Sequence, residues 1–215
     1  MRVSCQVILV AIGYLWYSQI AIAADDQEYW SQFEIVGSIA NKLDFRVKPE
    51  LRYNNDISDL YYVHFETGVD WKINNWLVLA PYYRHVNEKK GEIWTVEFRP
   101  HLNAAFIREF WGINISDRNR MEYRGRESTQ SFRYRNRLMA KLPKYTRFHI
   151  QPYTAEEPFY DFNEKRWNKN RAYIGVDFPV VKTLQGGLFF IYENRLKSDE
   201  WTSASILGTS LSYRY

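Results

Sequence analysis

The chain has a single cysteine, Cys5, among its 215 residues. That cysteine lies inside a segment expected to be removed on export. The mature protein is then without a disulfide, a thiol nucleophile or a cysteine-based metal site. Beyond the first two dozen residues no stretch is apolar enough for a transmembrane helix. Every apolar run is broken by Arg, Glu, Asn or Asp, and no segment keeps a helical period. No glycine-rich loop suits a phosphate; Gly186-Gly187 fits a strand position approached closely by backbone. Nor is there a basic block. The formal charge of +4 is spread along the chain, which gives no electrostatic footprint for a nucleic acid.

The first residues form an export signal. Arg2 supplies the positive start, residues 7–16 an apolar core, and Ala21-Ile22-Ala23 a small-residue cleavage box. The expected division is a cleaved signal at 1–23 and a single domain over 24–215. A membrane-anchoring helix is the alternative, but the apolar stretch is short for the roughly 20 residues that span a bilayer.

What the mature chain does have is alternation. Aromatic residues make up 18% of the sequence, with 17 tyrosines, and they recur at period two. Leu43, Phe45, Val47, Pro49, Leu51 and Tyr53 share one face, while Asp44, Arg46, Lys48, Glu50 and Arg52 share the other. A one-residue slip would exchange the two sets, so the register is well specified. Similar segments cover 29–40, 60–71, 76–86, 93–103, 111–125, 131–142, 147–162, 168–179, 185–197 and 203–215. The last of these ends on Leu211, Tyr213 and Tyr215, all of the apolar parity. Short links at 74–75, 143–144 and 181–183 alternate with more polar links at 54–59, 87–91, 125–129, 163–167 and 198–202.

These features predict an all-β, antiparallel, up-and-down transmembrane β-barrel of about 10–12 strands, with no helix after the signal peptide. Single-chain bacterial barrels have even strand numbers. Twelve is therefore expected, by division of 147–162 at Glu156-Glu157-Pro158; ten follows if 29–40 is not a wall strand. Pro49, Pro81, Pro100 and Pro152 sit inside proposed strands, where bulges would accommodate them. Asp117 and Asn119 fall on the apolar face, implying a bulge or a strand end standing above the bilayer.

Alternation alone does not say which face looks inward, and a soluble lipocalin-like barrel has the same period. The apolar face carries Phe65, Trp71, Trp94, Phe98, Phe132, Tyr134, Phe178 and Phe190, too bulky a set for a small interior. The charged face then lines the lumen. Its candidates are Arg52, Glu66, Arg84, Glu97, Arg99, Glu122, Arg124, Arg133, Arg135, Arg137, Arg171, Glu193 and Arg195, with Arg147 among the further cations. Buried charges of this number must meet water or pair with one another.

Trp30, the sequence PELRYNN at 49–55, Tyr82-Tyr83-Arg84, RYRNRL at 133–138, NRAYIGV at 170–176 and the SLSYRY ending resemble a bacterial family, domain of unknown function 2490. The resemblance covers nearly the whole mature chain and lies in the order of short motifs. It implies an envelope barrel of Gram-negative bacteria and carries no catalytic residues. Outer-membrane phospholipases resemble one another in a His-x-Ser pair, which this chain lacks. His64 beside Glu66 could act as a base and its orienting carboxylate, and Tyr62, His64 and Glu66 could hold a metal. Neither arrangement is distinctive, so no catalytic residue, metal or cofactor is expected.

Arg133, Arg135 and Arg137 form the strongest constellation, since three guanidinia on one strand face repel unless anions lie between them. Paired with Glu122 or Glu97 they would plug the lumen; unpaired they would make a narrow, anion-preferring channel. The expected location is the outer membrane. The expected partners are its lipids, the barrel-assembly machinery reading Leu211, Tyr213 and Tyr215, and small anionic solutes, with the protein a monomer. A lipid-modifying enzyme and a soluble periplasmic binding barrel are the alternatives.

Overall fold

The computed structural model describes residues 26–145 and 147–215. The expected signal peptide at 1–23, with Cys5 and the cleavage site, lies outside them. Eleven strands follow in sequence: β1 (Asp26–Ala40), β2 (Leu43–Asn54), β3 (Asp59–Lys72), β4 (Leu77–Lys90), β5 (Ile93–Phe110), β6 (Ile113–Arg126), β7 (Gln130–Lys141), β8 (Gln151–Asp161), β9 (Arg166–Val181), β10 (Leu184–Lys197) and β11 (Glu200–Arg214). Each pairs with its chain neighbours, β1 pairs with β11, and the sheet closes into a barrel. No helix occurs among the described residues.

The count is eleven, not twelve. The segment expected to divide at Glu156-Glu157-Pro158 is one strand, β8, and 29–40 lies within a full wall strand of 15 residues. An odd number of up-and-down strands has a geometric consequence. The first and last strands run the same way, so the barrel closes through a parallel seam from Asp26↔Ala204 to Val36↔Arg214. The ends of β1 and β11 that face their termini therefore lie at opposite rims.

Backbone chemistry explains Pro49, Pro81 and Pro100, and also Pro158, without bulges, while Pro152 sits beyond the end of the β7–β8 ladder and pairs with Val176 in regular register. The β1–β2 ladder skips two pairs beside Pro49, β3–β4 beside Pro81, β5–β6 beside Pro100 and β7–β8 beside Pro158, and in each case it resumes in the same register. A missing N–H removes ladder bonds on one side of a strand only. The other ladder of each strand keeps its pair, as at Pro49↔Phe65 and Tyr83↔Pro100.

The expected contrast between short and long connections does not hold. Polar residues such as Glu88, Lys89 and Lys90 continue in the β4–β5 ladder. At the rim where β1 begins, the connections shrink to two to four residues. The longest, 142–150, lies at the other rim, which carries the C-terminus. It takes in Arg147, so that residue is in an exposed turn and not in the lumen. Trp111-Gly112, expected to open a strand, is a tight turn with φ of 51° and 76°. This is the left-handed pair that a two-residue hairpin requires.

The two faces of the wall differ: the outer one carries apolar side chains and the inner one charged side chains. Trp71, Phe65, Phe132 and Leu102 are about half exposed, while Glu193 and Glu157 have no exposure at all. Asp117 and Asn119 do face outward, with no register shift in β6. They are satisfied locally: Asn136 donates to both, and the Tyr134 hydroxyl donates to Asn119. Beside them Asn170 donates to Glu156, at 2.7 Å.

Candidate functional site

Period two carries every second side chain of each strand inward, and the interior is built from carboxylate hubs. Glu122 on β6 accepts from Arg133 Nε and Nη2 at 2.9 and 2.6 Å and from Arg135 Nη1 at 2.8 Å, with Arg120 at 3.4 Å. Glu157 on β8 accepts from Arg118 at 2.5 Å, Arg135 Nη2 at 2.8 Å and the Tyr173 hydroxyl at 2.7 Å. Arg135 thus bridges two hubs. Glu97 on β5 gathers Arg99, Arg124 and Arg126 at 2.5 to 2.7 Å.

Glu193 on β10 holds Arg171, Arg195 and Lys169 at 2.5, 2.5 and 3.2 Å. Glu66 holds Arg84, with His101 at 3.5 Å, and Glu50 holds Arg52 Nε at 2.6 Å. Glu28 accepts from Arg195, Tyr61 and the Trp30 indole. Leaving one member of such a buried pair unpaired costs about 3–5 kcal/mol. The hubs therefore fix which strand faces meet across the lumen.

Aromatic rings complete the packing. The Arg52 guanidinium lies 3.6 Å from the Trp30 ring centroid, and Arg171 lies 4.7 Å from it. Phe159, almost fully buried, carries Arg135 at 4.5 Å and Arg171 at 4.9 Å. Trp30, Phe189, Ile191, Ala204 and Ile206 form an apolar cluster on the β1, β10 and β11 side of the lumen. Gly208 is required there, because a Cβ would stand 2.1 Å from the Phe189 ring. Cation–ring contacts of this kind are strongest when water is excluded.

All thirteen candidate lumen residues are buried or half-buried, and twelve of them join these pairs. Arg137 is the exception. It makes no ion pair among the described residues, lies 4.5 Å from the Tyr173 ring, and leaves its Nε buried without a partner. Arg133 and Arg135 use Glu122, one of the two partners expected, whereas Glu97 serves other arginines. Sequence reasoning missed Glu28 and the role of Trp30, and it did not connect Glu157 to Arg135. Parity could have found Phe159, which alternates with Glu157 and Asp161. His64 is buried deep in the lumen with both ring nitrogens unbonded, 3.6 Å from Glu50. No cluster of three His, Cys, Asp or Glu side chains with metal-site geometry occurs among the described residues.

Leu211, Tyr213 and Tyr215 are exposed together on the outer face. The Tyr215 ring meets Phe45 edge-on at 5.9 Å, and its N–H bonds to the Val36 carbonyl across the parallel seam.

Fold and interior together define a closed eleven-stranded β-barrel with an ion-paired lumen. A family model described as protein of unknown function (DUF2490) matches residues 27–204, and the chain belongs to that family. It is also similar to an uncharacterized protein of Methylorubrum extorquens, 27% identical over 208 residues that cover 88% of each chain.

Proposed function

We propose that this protein is an outer-membrane β-barrel with a lumen sealed by ion pairs, inserted as a monomer and closed to the passage of solutes. The inverted polarity of the wall carries the reading. Fully buried positions hold Glu97, Glu122, Glu157 and Glu193, while Phe65, Trp71, Trp94, Phe98, Phe132 and Leu102 stand exposed. A water-soluble barrel would need the reverse, because contiguous exposed apolar surface of this extent drives association. The strands, of 11 to 18 residues, reach or exceed the 9–11 that a tilted membrane strand needs.

The same reading makes the outer-membrane lipids the partners of the aromatic face. It gives Leu211, Tyr213 and Tyr215 the role of a signal to the assembly machinery. An anion channel needs a continuous file of free guanidinia. Here Arg52, Arg84, Arg135 and Arg171 line both of two small chambers, of about 90 and 100 Å³, and stand between them. A lipid-modifying enzyme needs a nucleophile and base reachable from the membrane, and burial of His64 in the lumen argues against that role.

Fractionation tests the location. The protein is expected with outer membranes, resistant to carbonate extraction and shifted in gel mobility when unheated. Recovery of folded protein from the periplasm without detergent would overturn the reading.

A further inference from the structure

The two chambers differ in one respect. Every cation lining the chamber nearer the N-terminal rim has a carboxylate partner, as Arg99 and Arg124 have Glu97 and Lys169 has Glu193. The chamber nearer the C-terminal rim departs from this. Cations outnumber carboxylates in the lining of both chambers, nine to two in the first and eight to three here, but here not every cation has a partner. Glu122 and Glu193, just behind the wall, offset part of the excess through Arg135 and Arg171. Lys48 on β2 and Arg137 on β7 remain, and neither makes a hydrogen bond or an ion pair within 4 Å among the described residues. The Gln32 amide on β1 also lines the space, without a side-chain hydrogen bond among the described residues.

Glu34, Glu50 and Glu66 act on Lys48, and Glu157 on Arg137, only from beyond contact distance. Cations inside a barrel without a contacting partner are expensive unless an anion or water meets them. Lys48 offers a point charge, Arg137 a planar fork and Gln32 a neutral donor, a mixture suited to an oxyanion with several acceptor oxygens. The chamber of about 100 Å³ has room for several waters, at roughly 10–15 Å³ each, and so for a tetrahedral oxyanion. Tyr153, Tyr173 and Phe189 line it as well, and Arg137 already rests on the Tyr173 ring.

We propose that this chamber binds one phosphate-type oxyanion between Lys48 and Arg137, reached from the rim that carries the C-terminus. The phosphate comes either from solution or as the end group of a phosphoester whose apolar body lies along the tyrosines. The inference goes beyond the membrane reading and does not depend on it, since the chamber is the same wherever the barrel resides.

The test is calorimetric titration of the detergent-folded full chain with inorganic phosphate and, separately, with phenyl phosphate, in chloride buffer at fixed ionic strength. Saturable binding at one site per chain is expected. Lys48→Gln with Arg137→Gln should weaken it by at least about tenfold, or about 1.4 kcal/mol. Lys144→Gln with Lys182→Gln, which removes the same charge from exposed turns, should leave it unchanged. Lys48→Arg should retain binding. Should the double variant fail to fold, Lys48→Gln alone should still weaken binding several-fold, and unchanged affinity there would overturn the proposal. Tighter binding of phenyl phosphate supports the site as one for a phosphoester; equal binding supports it as one for free phosphate. Absence of saturable heat with both probes at millimolar concentration would overturn the proposal, as would unchanged affinity in a folded Lys48→Gln, Arg137→Gln protein.

Discussion

Arg133 donates from both Nε and Nη2 to one oxygen of Glu122, at 2.9 and 2.6 Å. Among the described residues Glu122 is its only carboxylate partner, whereas Arg135, two residues on, is shared with Glu157. Replacing Glu122 by Gln therefore strands Arg133, and the barrel should lose about 3–5 kcal/mol. Arg137→Gln, which breaks no ion pair and removes a cation without a contacting carboxylate, should not destabilise the barrel by more than about 1 kcal/mol. Thermal unfolding in detergent, followed by the loss of heat-modifiable mobility, checks the contrast. Equal effects of the two substitutions would mean that pairing does not hold the lumen together.

Trp30 supports two guanidinia and closes the apolar cluster. Trp30→Ala should cost about 3–5 kcal/mol as a large-to-small change at a buried site. Trp30→Phe should recover more than half of that, because a ring remains under Arg52 and Arg171. The same unfolding assay compares them, and a Phe variant no better than Ala would point away from ring stacking.

The parallel seam makes a sharp geometric prediction. Phe33 and Leu211 are direct partners across it. With Cys5 replaced by Ser, cysteines at 33 and 211 should oxidise to a disulfide, since neighbouring strands lie within the reach of such a bond. Cysteines at 27 and 211 should not. Cross-linking in the second pair and not the first would require a different closure and a different strand number.

The wall was legible in the sequence because period two is a local signal. The inward set from Asp44 to Arg52, and the inward triplet Arg133, Arg135 and Arg137, both follow from alternation alone. The strand count was not, because the parity of ends depends on closure, and nothing local marks β1 as the parallel partner of β11. The turn at Trp111-Gly112 was hidden by an aromatic that reads as strand. Which carboxylate serves which arginine was hidden too. Glu157 reaches Arg118 across 39 residues of sequence, a meeting fixed by barrel curvature and not by spacing.

Tyr215 caps the seam through Phe45 and the Val36 carbonyl. In the proposed membrane setting, Tyr215→Asp should sharply reduce inserted protein. Tyr215 lies at the rim, just past the end of β11, and a charge near the interface costs only about 0–1 kcal/mol directly. The defect should therefore be one of recognition and edge closure. The check is the amount of heat-modifiable protein in outer membranes; wild-type levels of the Asp variant would contradict the assigned role.

The sealed lumen is the central claim, and planar-bilayer recording tests it most directly. Wild-type protein, shown by protease protection to be inserted, is expected to give no steady conductance in a salt gradient, because the arginines between the two chambers are held by Glu50, Glu66, Glu122, Glu157 and Glu193. A steady, anion-selective current through the unmodified barrel would contradict the account and restore the channel.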